Sequence, residues 1–179
     1  WVFVDAMWRA EESTAELISV VQGTDLSNIG YTPGVVGTAF SFRENQSMFR
    51  VPLTTPLPAA EFTIDAWIRR ASTQLVSPTG NHSFIVGGPV GSLGFGVVPD
   101  GRIYVSNLPN ESIFSTGTIS DTEWHHVAMT RAGSEMRFYI DGVSSGSSTY
   151  AGVFNAGTFL SIGGLIGWDI NNSYSFLGD

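Results

Sequence analysis

Trp168-Asp169-Ile170-Asn171-Asn172-Ser173 sets an aromatic ring, a carboxylate and two amides side by side in a polar stretch. That mix suits two chemistries. Calcium takes about six to eight hard oxygens from carboxylates, amides and backbone carbonyls, which makes Asp169, Asn171 and Asn172 candidate metal ligands. A sugar needs an aromatic face to stack on and polar groups for its hydroxyls. Trp168, Tyr174, Asn171, Asn172 and His82 are the candidate contacts for such a ligand.

Other patterns point away from catalysis. His125 and His126 are adjacent, and adjacent residues in a strand face opposite sides. They cannot jointly hold one metal, and one is expected in the core, bonded to a backbone group. Glu61 and Asp65 share a face by parity. A glycoside hydrolase uses two carboxylates as nucleophile and acid, but no E-x-D-x-x-E run is present and no third carboxylate follows on this strand. Asp65 is therefore expected to be a lone outward polar residue. Gly142 to Gly146 matches G-x-S-x-G, but that elbow needs a strand, a sharp turn and a helix, and a hairpin turn and a Ser-rich stretch surround it. The glycines of 87–96 precede neither a Lys nor a helical pattern, so they form no phosphate loop. With no nucleophile beside a base, the chain is expected not to be an enzyme.

The elements that position these residues read as strands. In FTIDAWIRR (62–70), Phe62, Ile64, Ala66 and Ile68 fall on one face and Thr63, Asp65, Trp67 and Arg69 on the other, a period of two. Residues 1–8, 37–42 and 48–52 are further strands. Pro99-Asp100-Gly101 is the turn of a hairpin between 93–98 and 102–107. Ala132 to Glu135 turns between 124–131 and 136–140, and Asp141-Gly142 makes a second tight turn. Val143 to Thr149 (VSSGSST) reads as a loop. The one helical candidate, Arg9 to Val21, is short and ends in β-branched residues. Many short strands with frequent turns predict an all-β, two-sheet antiparallel sandwich.

Composition narrows the partners. The chain has 179 residues, 42% of them hydrophobic, enough to bury one core, and a single domain over 1–179 is expected. The net charge of −8 repels polyanions, so no nucleic-acid partner is expected. Without cysteine there is no disulfide scaffold and no thiolate metal site. No apolar run of about 18 residues exists, so no membrane insertion is expected. No signal segment opens the sequence, and a secreted destination would need one outside it. Sequons start at Asn45, Asn81, Asn110 and Asn171.

Several segments in order resemble one family: MWRAEES (7–13), SVVQGTDL (19–26), GVVGTAFSF (34–42), RVP (50–52), FTIDAWIRR (62–70), EWHHVAMTR (123–131), MRFYIDG (136–142) and LSIGG (160–164). Together they are similar to the laminin-G-like domains of the concanavalin A-like lectin/glucanase superfamily, a pentraxin-related jelly roll. The resemblance implies a non-catalytic binding or adhesion module of a secreted or cell-surface protein, carbohydrate-binding and calcium-assisted. Its partners would be a glycan or an extracellular protein. It places 168–173 where pentraxins carry their calcium loop, and it implies a second calcium site shared by Asp25 and Asp179. Trp67, Trp124 and Phe138 are expected between the sheets. The family usually adds a strand after FLGD (176–179), so the chain is expected to lack its last C-terminal strand. That would leave the Trp1–Trp8 strand as an edge open to self-association. The alternative function is then a structural spacer or repeating subunit of an extracellular assembly, joined through that edge.

Overall fold

A computed structural model of the chain describes residues 24–27, 29–43, 47–53, 60–78, 82–89, 92–107, 112–151, 154, 159–164 and 176–179. Among them every regular element is a strand. The first are β1 (Thr24–Ser27), β2 (Ile29–Pro33), β3 (Thr38–Phe42) and β4 (Met48–Pro52). Then come β5 (Glu61–Arg69), β6 (Ser83–Gly87), β7 (Gly94–Val97), β8 (Arg102–Ser106) and β9 (Ser112–Thr118). The last are β10 (Trp124–Ala132), β11 (Glu135–Ile140), β12 (Val143–Thr149) and β13 (Phe159–Ile162). The Trp1–Trp8 strand, the 9–21 helical candidate and all four sequon asparagines lie outside the described residues.

One sheet runs β1-β4-β13-β6-β7-β8-β9, the other β12-β11-β10-β5, with β2-β3 as a separate ladder. Residues 177–179 tie that ladder to β5. Gly178 exchanges backbone hydrogen bonds with Phe42, and Asp179 does so with Arg69. All pairings are antiparallel, so the expected two-sheet jelly-roll architecture is what the chain adopts. Val127 and Met129 of β10 and Phe138 of β11 meet Phe95, Ile103 and Val105 in one core. Burying such side chains stabilises the sandwich by roughly 1.5–3 kcal/mol each.

Close approach of backbones explains one glycine. A Cβ on Gly96 would run into the Ser83 carbonyl, so the β6–β7 ladder needs glycine there. At the end of the core Arg131 stacks over Phe154 at 4.9 Å, and Phe154 stacks on Tyr150 at 4.7 Å.

Two expectations are corrected. Val143 to Thr149 is a strand, β12, paired with β11. It is an edge strand, and serine on an edge needs no apolar alternation. Trp67 does not fill the core: it is 51% exposed, whereas Phe138 is fully buried. Trp124 is half-buried beneath the Arg69 guanidinium, 5.1 Å from its ring centre.

Candidate functional site

The position of Trp67 follows from strict alternation along β5. Phe62, Ile64 and Ala66 pack on the core, while Thr63, Asp65 and Trp67 face solvent. Register then chooses their neighbours. Trp67 stands opposite His126, Asp65 opposite Ala128 and Thr63 opposite Thr130 on β10. On the next strand Tyr139 stands opposite Ala128, and Arg137 opposite Thr130. Paired positions share a face. The fold thus gathers Trp67, Asp65, His126, Tyr139 and Arg137 on one outer surface, with the small Ala128 between Asp65 and Tyr139.

The local contacts hold these groups in place. The Trp67 and His126 rings lie 5.4 Å apart. His126 Nε2 is 3.0 Å from Asp65 Oδ2, so Asp65 has a partner and is not a lone residue. Arg137 donates from Nε and Nη2 to the two Glu135 carboxylate oxygens, each at 3.0 Å. Hydrogen bonds to Glu135 and then Tyr139 raise the Arg137 pKa above its ordinary value. The surface offers an open indole face, a phenol edge and several hydrogen-bonding groups.

His125 points the other way, towards the sandwich rim, and its partners are carboxylates rather than backbone. Nδ1 lies 2.7 Å from Asp141 Oδ2 and Nε2 lies 2.8 Å from Asp121 Oδ1. Burial lowers its pKa, but hydrogen bonds and charge from Asp121 and Asp141 outweigh it, and the net shift is upward. Two carboxylates on one ring favour its protonated form.

The residues singled out from the sequence fare differently. Trp168, Asp169, Asn171, Asn172 and Tyr174 lie outside the described residues. Asp25 sits in β1 at the edge of the seven-stranded sheet. Asp179 lies against β5, where its Oδ2 accepts from Arg69 Nε at 3.0 Å and Nη2 at 2.7 Å. Its Oδ1 makes no hydrogen bond and faces Arg43 at 3.7 Å. Arg69 satisfies only Oδ2, and the guanidinium charge of Arg69 and Arg43 lies beside a carboxylate whose buried Oδ1 keeps no hydrogen bond. His82 belongs to the seven-stranded layer. Its ring packs edge-on to Tyr104 at 5.2 Å, and burial there lowers its pKa. Among the described residues no group of three or more acidic, His or Cys side chains is arranged to hold a metal.

Sequence reading missed Trp67, Asp65, His126 and Tyr139 as one surface. The signal was present for Trp67, since period two sets it with Thr63, Asp65 and Arg69. The size of the side chain argued for the core and was the wrong guide.

Two antiparallel layers around one core define a β-sandwich of the concanavalin A-like kind. The chain belongs to the concanavalin A-like lectin/glucanases superfamily, whose model matches residues 43–179. No curated protein sequence matches it. Among solved structures it is similar to domain 4 of AbnA, an extracellular GH43 arabinanase from Geobacillus stearothermophilus, in complex with arabinotriose. That likeness has a TM-score of 0.69 at 17% identity over 93% of this chain and 83% of that one. It is also similar to a heptameric SAP-like pentraxin from Limulus polyphemus, with a TM-score of 0.53 at 19% identity over 77% and 70% of the two chains. Domains LG4-5 of mouse laminin α1 align with a TM-score of 0.54 at 18% identity, over 74% of this chain and 36% of that one. At such identities the likeness is one of fold. Among the described residues no helix is long and apolar enough to cross a membrane.

Proposed function

We propose that this chain is a non-catalytic carbohydrate-binding module of a secreted or cell-surface protein, and that it binds on the outer face of β5, β10 and β11. One observation carries the reading: a half-exposed tryptophan on a regular strand, where its ring is held by His126 and flanked by Asp65. An indole so placed loses little conformational freedom on binding, and it presents a flat apolar face beside hydrogen-bonding groups. The superfamily includes lectins, and the similar arabinanase domain is described in complex with arabinotriose. Tryptophan fluorescence titrated with arabino-, xylo- and cello-oligosaccharides tests it. The wild type responds and a folded Trp67→Ala variant does not; no response from the wild type to any sugar ends the reading.

Segment 168–174, outside the described residues, is a second candidate contact by its residue types: Trp168 and Tyr174 for stacking, Asn171 and Asn172 for hydroxyls, and Asp169 with the amide oxygens for calcium. Calorimetric titration of Ca²⁺ into chelator-treated protein checks the metal. The absence of both heat and a melting shift would remove it.

The spacer reading is self-association through the edge near Trp1–Trp8, which lies outside the described residues. Edge pairing between copies would make size-exclusion elution depend on concentration. A monomer at every concentration rules it out.

A further inference from the structure

The register of the four-stranded sheet says more about the ligand than Trp67 alone does. Trp67 and Tyr139 lie on one face, two strands apart and two residues out of step, because Trp67 pairs with His126 and Tyr139 with Ala128. With strands ~4.8 Å apart and ~3.4 Å per residue, the two aromatic positions are about 12 Å apart along a diagonal, the span of roughly three linked sugar rings. Ala128 and His126 lie beneath that diagonal. Ala128 is the small residue on this line, 7% exposed between its larger neighbours.

Charge on the face sets the class of sugar. Asp65 is paired with His126, and Glu135 with Arg137. A charged ligand would have to compete with one of these pairs. A neutral chain can take hydrogen bonds from their edges and leave them intact. The net charge of −8 adds a field that repels anionic glycans.

We infer that the outer face is an extended subsite for the interior of a neutral linear oligosaccharide, lying diagonally from Trp67 across Ala128 to Tyr139. This rests on the carbohydrate-binding reading above and adds to it the length, charge and direction of the ligand. A terminal monosaccharide fills one end only, and an internal trisaccharide fills both.

The test measures affinity by calorimetry for neutral arabino-, xylo-, manno- and cello-oligosaccharides from mono- to hexasaccharide, and for uronate and sulfated oligosaccharides of the same lengths. Three proteins are compared: wild type, Tyr139→Ala and Ala128→Leu. Affinity in the wild type rises up to about the trisaccharide and then levels. Tyr139→Ala weakens the trisaccharide about fivefold or more and the monosaccharide by less, the size expected for loss of one ring contact. Ala128→Leu, with the same fold by circular dichroism, weakens only the longer sugars. If that variant misfolds, Tyr139→Ala decides alone. A monosaccharide bound as tightly as a trisaccharide, or a response to Trp67→Ala but to neither of these variants, overturns the extended subsite and leaves the sugar-binding function standing. Tighter binding of uronate or sulfated chains overturns the neutral class. No binding across the whole panel overturns both readings.

Discussion

Asp141 holds His125 at 2.7 Å through Oδ2, from a backbone that few residues other than glycine adopt (φ 52°). Its Oδ1 also accepts the backbone N–H of His126 at 3.0 Å. The turn after β11 is thereby fastened to the start of β10. Aspartate is one of the few side chains that tolerate this conformation.

The clamp makes stability depend on pH in two directions. The folded pKa of His125 lies above its ordinary 6.5, so its contribution is full below 6.5 and is lost as pH rises through the folded value. Those of Asp121 and Asp141 lie below their ordinary 3.8, so their contribution is present above 3.8 and is lost as pH falls through the folded values. Between those limits the clamp is complete. Melting temperature against pH should fall on the alkaline side in the wild type, and this component should vanish in His125→Gln. An unchanged profile would show that the clamp adds nothing.

Trp67 and Phe138 should respond in opposite ways to truncation. Phe138→Ala leaves a cavity at a fully buried site and should cost about 3–5 kcal/mol in denaturant unfolding. Trp67→Ala removes a surface ring and one cross-strand contact and should cost under about 1 kcal/mol. Comparable losses would mean that Trp67 is a core residue after all.

Much of the sheet was legible because it obeys simple periodicity. FTIDAWIRR and EWHHVAMTR announce β5 and β10, and Asp141-Gly142 announces its turn. The rest depends on pairing between distant segments. Nothing local says that Asp65 will meet His126, since only the β5–β10 register brings them together. β12 was hidden because its serines carry no apolar alternation, and its strand form depends on β11 beside it. His125 bonds carboxylates because the 121–123 turn and the 141–142 turn converge on one rim, which no spacing rule anticipates.

Gly96→Ala should be severely destabilising, by about 3 kcal/mol or more, because the obstacle is the Ser83 backbone and not a movable side chain. Thermal unfolding measures it. Gly133→Ala is the comparison. There a Cβ meets nothing, and the φ of 61° alone should cost about 1 kcal/mol.

Arg70 is almost wholly buried and donates to the carbonyls of Ile119 at 2.6 Å and of Thr73 and Pro99 at 3.0 Å. It ties three connecting segments to the end of β5. Arg70→Met keeps the apolar stem but strands those carbonyls, and should cost about 3 kcal/mol in urea unfolding. A loss below about 0.5 kcal/mol would mean that water replaces the guanidinium freely.

The most direct test of a ligand face on the four-stranded sheet is amide chemical-shift mapping with a neutral trisaccharide. The sheet-face site predicts shifts centred on Asp65, Trp67, His126, Ala128 and Tyr139, all abolished by Trp67→Ala. Shifts confined to residues 165–175, with those five amides unmoved, would contradict it.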